Sequence, residues 1–155
     1  MFHRAFEIVI GHEGGFVDHP SDPGGATKYG ISQRAYPHED IPDLTLERAR
    51  QIYERDYWKP VRGNDLPPQL ALLVFDAAVN NGVNRASKWL QECVGVTVDG
   101  VIGPRTLAAA RAWDVRKLCA EYLSRRLLFI SSLDTWSTFG RGWARRLCSL
   151  PYAQI

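Results

Sequence analysis

Cysteine is scarce in this chain of 155 residues, and its spacing argues against two common roles. The three cysteines lie far apart with no Cys-x-x-Cys pair among them: Cys93, Cys119 and Cys148. Such a set is typical neither of a disulfide framework nor of a zinc site. Because each cysteine stands beside apolar residues, we expect three buried thiols. The four histidines show no metal-ligand spacing either, so the sequence implies no metal and no organic cofactor.

Long apolar runs are also missing. The first ten residues include Glu7 and lack the apolar stretch that a secretory signal or a membrane anchor needs. We therefore expect neither, and a protein acting beyond the cytoplasmic membrane would need another route of delivery. The apolar run at 70–79 is too short and too interrupted to span a bilayer.

Aromatic and apolar residues, in contrast, are abundant. Hydrophobic residues make up 45% of the chain and include five Trp, six Tyr and six Phe, which is ample for the core of one domain. Charge is uneven: residues 1–110 carry 11 basic and 14 acidic side chains, whereas residues 111–155 carry 8 and 3. The basic C-terminal part indicates an anionic partner, namely nucleic acid, lipopolysaccharide, phospholipid or an acidic wall polymer, with a solvated helix face as the alternative.

Apolar spacing predicts a mainly α-helical chain with at most a small β-ribbon. The first helix has one face formed at steps of four, three and four by Phe2, Phe6, Val9 and Glu13. Two glycines would end it, and a ribbon could lie around residues 27–31. Further helices are predicted over 45–58 (capped by Thr45), 69–81, 84–94 (capped by Asn84), 104–113 (opened by Pro104), 114–133 (capped by Asp114) and from Gly140 to about Leu150.

The most chemically informative stretch runs from residue 12 to residue 32. Glu13 closes the first helix and is followed at once by two glycines, with Asp22 nine residues later and Thr27 five after that. Because Glu13 continues the apolar face, we expect its carboxyl to point inward, where desolvation raises its pKa. Such a carboxyl, facing a polar loop with a second carboxyl, suits acid/base cleavage of a glycosidic bond.

This stretch resembles the Glu-Gly-Gly-Tyr motif of glycoside hydrolase family 108, the phage and bacterial N-acetylmuramidases that cut peptidoglycan, with Phe16 in place of the tyrosine. The resemblance implies a lysozyme-like helical domain with Glu13 as the general acid. The stretch is also similar to the Glu–Asp–Thr arrangement of phage-type lysozymes. That likeness implies that Asp22 and Thr27 hold the attacking water, although the Asp-to-Thr step is one residue shorter here. Asp18 is a competing carboxylate, and Asp22 could instead be a turn former.

Three further residues are candidates for binding a sugar. Tyr29 could stack on a sugar ring or could serve as a core aromatic. Asn80 and Asn81, at the end of the central helix, offer amides suited to N-acetyl and hydroxyl groups. An asparagine before a glycine is also typical of an ordinary helix stop, which is the interpretation favoured for Asn81.

A second motif lies at residues 95–107. Its Asp99-Gly100 and Gly103-Pro104-Arg105-Thr106 steps resemble the Asp-Gly-x-x-Gly-Pro-x-Thr turn of peptidoglycan-binding helical modules. Tight turns made for structural reasons alone are the alternative. The two resemblances cover about residues 3–150. They predict a single compact unit over 1–155, with a muramidase catalytic region at 1–90 and a helical region resembling a peptidoglycan-binding module at 91–150.

Together the resemblances imply hydrolysis of the β-1,4 bond between N-acetylmuramic acid and N-acetylglucosamine. The predicted setting is a phage endolysin that stays in the host cytoplasm until it is released and acts on the cell wall in the periplasm. A lytic transglycosylase and a non-catalytic wall-binding module are the alternatives. A DNA-binding protein is disfavoured, because no recognition-helix motif accompanies the arginines.

The basic C-terminal part carries the partner prediction. Arg141, Arg145 and Arg146 can share a sector of a short helix whose other side is apolar. We expect their guanidinium groups to face outward, where they would bind anionic envelope polymers or lipopolysaccharide. Peptidoglycan is the predicted main partner of a monomer that neither binds nucleic acid nor inserts stably into a membrane.

Overall fold

The computed structural model describes residues 1–11 and 25–152 of the chain, and helices dominate these residues. In the described part the helices are α1 (Phe2–Gly11), α2 (Leu46–Tyr53), α3 (Pro68–Asn81), α4 (Val83–Val94), α5 (Pro104–Ala112), α6 (Val115–Ser131) and α7 (Trp136–Ser149). Strands β1 (Thr27–Lys28) and β2 (Ile31–Ser32) pair as a small antiparallel ribbon. The predicted class, a mainly α lysozyme-like fold with a small ribbon, is confirmed.

Several helices begin where local chemistry predicts. The Thr45 hydroxyl accepts a hydrogen bond of 3.1 Å from the backbone N–H of Arg48, and the Asp114 carboxylate accepts one of 2.9 Å from that of Lys117. Each side chain satisfies a backbone donor that the first helical turn leaves without a partner. Pro104 stands first in α5, where its fixed φ suits a helix start. These three predictions are confirmed.

The predicted start of α4 is wrong. The helix begins at Val83, so Asn84 lies inside it and does not cap it. Gly82 has a φ of +86°, and its N–H donates to the carbonyl of Ala78 at 3.0 Å, which closes α3. Glycine adopts this backbone conformation without a steric penalty, so a single residue is enough to connect α3 to α4.

The predicted start of the last helix is also wrong. Gly140 does not precede α7 but lies within it, and the helix begins at Trp136. The indole of Trp136 packs directly on Gly140, where an added Cβ would lie 2.6 Å from a ring carbon. The glycine is therefore a packing requirement of the helix rather than a signal of its start.

The predicted helix over 45–58 changes its form near its end. Helix α2 ends at Tyr53, and residues Glu54–Trp58 form a π-helical turn in which the N–H of Lys59 donates to the carbonyl of Glu54 at 2.9 Å. Trp58 is fully buried, and its indole N–H donates to Asn64 at 3.0 Å. This contact joins the π turn to a short 3₁₀ turn, Gly63–Asp65.

The core is centred on α3, whose residues 70–78 are all buried. Helices α4 and α6 pack against α3, and α1 contacts it through Phe2, whose ring centroid lies 6.0 Å from that of Phe75. Helix α3 therefore connects the N-terminal elements to the C-terminal helices. Among the helices in residues 1–11 and 25–152, none combines the length and the hydropathy of a transmembrane span.

Candidate active site and its surroundings

The ribbon places Tyr29 at the tip of a tight hairpin. Tyr29 and Gly30 have φ values of +53° and +74°, the pattern of a two-residue type I′ turn. A residue other than glycine costs about 1 kcal/mol or more in this conformation, so a bulky tyrosine is unusual here. The Tyr53 hydroxyl donates to the carbonyl of Tyr29 at 2.8 Å and thereby holds the turn against α2.

Tyr53 also contacts α1, the helix that precedes the predicted catalytic segment in the chain. Its ring packs edge-on against Phe6 of α1, with the centroids 5.4 Å apart. Helix α1 and the hairpin, the two elements that flank residues 12–24, therefore rest on the same buried side chain. The predicted carboxylates lie in this segment, outside the described residues: Glu13, Asp18 and Asp22.

Thr27, the third predicted catalytic residue, lies on β1 of the ribbon. It pairs with Ser32 across the two strands and is half-buried. Its hydroxyl donates to the carbonyl of Gly25 at 3.3 Å. The ribbon thus holds Thr27 at one end and Tyr29 at the other, directly after the segment that carries Asp22.

A polar aromatic cluster beside the ribbon was missed by sequence reasoning. The Tyr36 hydroxyl donates to Asp56 of the π turn at 3.0 Å and lies 3.4 Å from the Tyr57 hydroxyl. The Arg55 guanidinium beside Asp56 lowers the pKa of that carboxyl, while burial raises the pKa of Tyr36. A phenol and an ionised carboxylate can donate to and accept from sugar hydroxyls. Nothing in the sequence signals the pair, because Tyr36 and Asp56 lie 20 residues apart.

Asn80 and Asn81 lie apart from this cluster, at a small pocket between the ends of α3, α6 and α7. The pocket has a volume of about 80 Å³ and is lined in part by both asparagines, Ile130 and Trp143. Asn81 accepts a hydrogen bond of 3.1 Å from Arg126, and exposed Asn80 donates to the carbonyl of Asp76 at 2.7 Å. Neither Thr27 nor Tyr29 lines this pocket. The described residues thus place the predicted sugar contacts in two regions.

Beneath the pocket lies a buried charge network centred on Asp76, whose side chain has no exposed surface. One carboxylate oxygen pairs with Arg126 of α6 at 2.6 Å, and the other pairs with Arg146 of α7 at 2.7 Å. The outward orientation predicted for Arg146 is therefore wrong, and its side chain is only 12% exposed. A carboxylate inside an apolar core needs counter-charges, and Arg146 supplies one. Arg141 and Arg145 are exposed, as predicted.

The turn motif at 95–107 is organised by Gln91, a buried residue that the motif does not include. The Gln91 amide donates to the Asp99 carboxylate at 2.7 Å and to the carbonyl of Val101 at 3.0 Å, and its oxygen accepts from the N–H of Gly100 at 2.8 Å. The bond from Gln91 lowers the pKa of Asp99. Glycine is required at position 100, where φ is +83°. The motif residues therefore have a structural role in shaping the turn.

The cysteines only partly match the prediction. Cys93 is buried and Cys119 half-buried, and burial raises the pKa of each thiol to about 11. Cys148 is exposed, so the prediction of a buried thiol is wrong there. It follows Leu147, which faces the core, and one helical step carries the next side chain toward solvent. Within the described ranges no group of three or more His, Cys, Asp or Glu side chains could hold a metal ion.

Comparison with known proteins gives matches over most of the chain. Residues 6–82 match the family model described as Glycosyl hydrolase 108, and residues 85–148 match the model described as Predicted Peptidoglycan domain. The structure of Brucella abortus SagA is similar, with 40% sequence identity and a TM-score of 0.88. That match covers 97% of this chain and 91% of the SagA chain. A search of curated proteins returned no match.

Proposed function

The chain belongs to glycosyl hydrolase family 108 and carries a peptidoglycan domain after its hydrolase region, and from this we propose that it is an N-acetylmuramidase. It is a glycoside hydrolase that acts on peptidoglycan. The bond we propose is the β-1,4 linkage between N-acetylmuramic acid and N-acetylglucosamine. The observation that carries the proposal is the joint match, in which a hydrolase model is followed by a peptidoglycan domain along one chain.

In the proposed mechanism Glu13 donates its proton to the glycosidic oxygen as the bond to the anomeric carbon breaks. Asp22, with Thr27, orients and deprotonates the water whose oxygen bonds to that carbon. The packing of Tyr53 supports this assignment, because one buried residue contacts both α1 and the hairpin, the two flanks of the segment with Glu13 and Asp22. Both flanks are thus anchored on rigid elements, as a catalytic pair requires.

The proposed sugar contacts follow from exposure and hydrogen bonding. Tyr29 occupies a strained turn position at the tip of the ribbon that carries Thr27, and strain of this kind is often retained at functional sites. Asn80 is exposed at its pocket and can reach an N-acetyl or hydroxyl group. Asn81 accepts a hydrogen bond from Arg126, so it contributes to the pocket wall as well as to any contact with sugar.

We also propose a setting: a phage endolysin that stays in the host cytoplasm until release and acts on the wall in the periplasm. The exposed arginines of α7, Arg141 and Arg145, would bind anionic envelope polymers or lipopolysaccharide there. Arg146 is not part of this exposed surface, because it pairs with Asp76.

The test of the chemistry is Glu13→Gln, which keeps the shape of the side chain but cannot donate a proton. Turbidity loss of outer-membrane-stripped Gram-negative cells should fall about a hundredfold or more, with an unchanged melting temperature. Asp22→Asn should reduce turnover far more than wall binding, and Asp18→Asn serves as its matched control. Retention of a tenth of the activity by Glu13→Gln would exclude Glu13 as the acid. A larger loss in Asp18→Asn would transfer the second role to Asp18.

Mass spectrometry of the released muropeptides tests the reaction type. A hydrolase adds water and leaves a reducing N-acetylmuramic acid, whereas a lytic transglycosylase leaves the anhydro product, which is lighter by one water. Reducing products would support the proposal, and anhydro products would contradict it. If no products form and Glu13→Gln binds sacculi like the wild type, the chain is a wall-binding module.

A further inference from the structure

Helix α7 carries three aromatic side chains that neither the motifs nor the proposed mechanism use, and one of them, Trp143, contacts the other two. The Trp143 ring lies 6.2 Å from that of Trp136 and 5.8 Å from that of Phe139, measured between centroids. Phe139 is 54% exposed, and the two tryptophans are half-buried. We call these three side chains the α7 platform. Contiguous apolar patches on a protein surface can serve as binding sites.

The platform depends on Gly140, a glycine inside α7 that lowers the stability of the helix. Gly140 lies inside α7, and the indole of Trp136 packs on it so closely that a Cβ would lie 2.6 Å from a ring carbon. A glycine in a helix interior is about 1 kcal/mol less favourable than alanine. Gly140 therefore sets the position of Trp136 next to Trp143, while the neighbouring Phe139 stays in solvent.

The platform is continuous with the pocket at the end of α3. Trp143 belongs to both, since it also lines the pocket beside Asn80 and Asn81. Asn80 is an exposed residue there, and its Nδ2 donates to the carbonyl of Asp76. An N-acetylated sugar offers an apolar ring face for an aromatic side chain, together with hydroxyl and acetamido groups for an amide. This surface presents both kinds of group side by side.

We propose that the α7 platform binds N-acetylated sugar residues of a peptidoglycan glycan strand, at a position separate from the ribbon that carries Thr27 and Tyr29. The identity of the glycan rests on the proposed function. The match to a peptidoglycan domain over residues 85–148 includes all three platform residues. A glycan strand bound at this second position would hold the enzyme on the wall between cleavage events.

The test is a binding titration of the full chain with the tetrasaccharide of N-acetylglucosamine, followed by tryptophan fluorescence, and sedimentation with purified sacculi. Phe139→Ala and Trp143→Ala should each weaken binding about fivefold, as expected for loss of about 1 kcal/mol of aromatic contact. Matched controls are Trp113→Ala and Leu128→Ala, which remove apolar side chains that are 42% and 68% exposed elsewhere on the surface. Both controls should bind within twofold of the wild type.

Phe139 is the most exposed member of the platform, so Phe139→Ala tests binding even if Trp143→Ala unfolds. Binding by Phe139→Ala equal to that of the controls would overturn the proposal. A change only in oligomeric state, measured by light scattering, would also overturn it and would assign the surface to a second copy of the chain. If binding depends on the platform but no muropeptides are released, the muramidase proposal fails and the proposal of glycan binding at the platform holds. If muropeptides are released but Phe139→Ala binds like the wild type, the platform proposal fails and the muramidase proposal holds.

Discussion

Asp76 is an ionised side chain in an otherwise apolar stretch of α3, and its two partners lie 50 and 70 residues further along the chain. The carboxylate, Arg126 and Arg146 are nearly excluded from water, so each charge depends on the others for compensation. The residue type alone could not predict this network. A lone Asp in an apolar helix indicates a functional or structural partner, but it does not say which of many arginines supplies it.

We expect Asp76→Asn to destabilise the protein by about 3–5 kcal/mol, because it leaves two buried guanidinium groups without their carboxylate. For a chain of this size the melting temperature should fall by about 10 °C or more. The control is Asp65→Asn, whose carboxylate pairs with Arg62 at 2.7 Å on the surface. That change should cost less than about 1 kcal/mol. Equal melting temperatures for the two variants, by calorimetry, would contradict the argument.

Tyr53 provides a second prediction at this scale. Tyr53→Phe removes the hydroxyl that donates to Tyr29, so it should cost about 1 kcal/mol of stability and lower kcat about fivefold as the hairpin loosens. Tyr122→Phe is a matched control, because that buried hydroxyl donates to the carbonyl of Ala86 at 3.1 Å in the peptidoglycan domain. It should lose similar stability but keep its kcat. The hairpin would not position the site if both variants kept full activity.

At the scale of elements, α7 differs most from its prediction. The sequence predicts that Gly140 precedes the last helix, yet the helix extends through Gly140 and Gly142. Local propensity disfavours glycine in a helix, but the packing of Trp136 on Gly140 outweighs that preference. The same helix separates its arginines: Arg146 faces the core, whereas Arg141 and Arg145 remain in solvent.

Replacing Arg141 and Arg145 together by glutamine should therefore weaken binding to lipopolysaccharide-bearing cells by about five- to tenfold at low salt. The melting temperature and the cleavage of short soluble muropeptides should change little. A double variant with Arg34→Gln and Lys59→Gln loses the same charge from exposed positions elsewhere and should bind normally. Loss of binding in both pairs would point to net charge rather than to α7. A lower melting temperature with unchanged binding would give the arginines a structural role.

For the whole molecule, the notable feature is that the two family matches share one core. Helix α3 belongs to the hydrolase match, while α4 and α6, which pack on it, belong to the peptidoglycan domain. The Asp76 network joins the same two regions. The boundary between the matches therefore runs through a packed interior rather than through a linker.

We accordingly expect residues 1–82 alone to lack a cooperative thermal transition, because α3 would expose the apolar face that α4 and α6 cover. Coexpression with residues 83–155 should restore a single transition like that of the intact chain. Circular dichroism with heating measures both. A cooperative transition in the isolated 1–82 piece would show two independent folding units and would contradict the prediction of a single compact unit.

Much of this protein could be predicted from local sequence. Helix periodicity, the Thr45 and Asp114 caps, Pro104 and the small ribbon depend on residues within a few positions of one another, and these predictions are confirmed. The family also follows from short contiguous motifs, one around Glu13 and one at residues 95–107. Local chemistry encodes such features because backbone hydrogen bonds and turn conformations are formed by neighbouring residues.

Tertiary packing decided the rest. It turned Arg146 inward toward Asp76, placed Gly140 under Trp136, set Gln91 behind the turn motif and joined Tyr36 to Asp56. Each pair is separated in sequence or lacks a local signal, and its energy depends on burial, which a residue acquires only when the helices pack. The sequence by itself therefore determined the mainly α-helical class, the ribbon and the family. The partners of the buried polar groups and the aromatic surface of α7 depended on which side chains the packing removed from water.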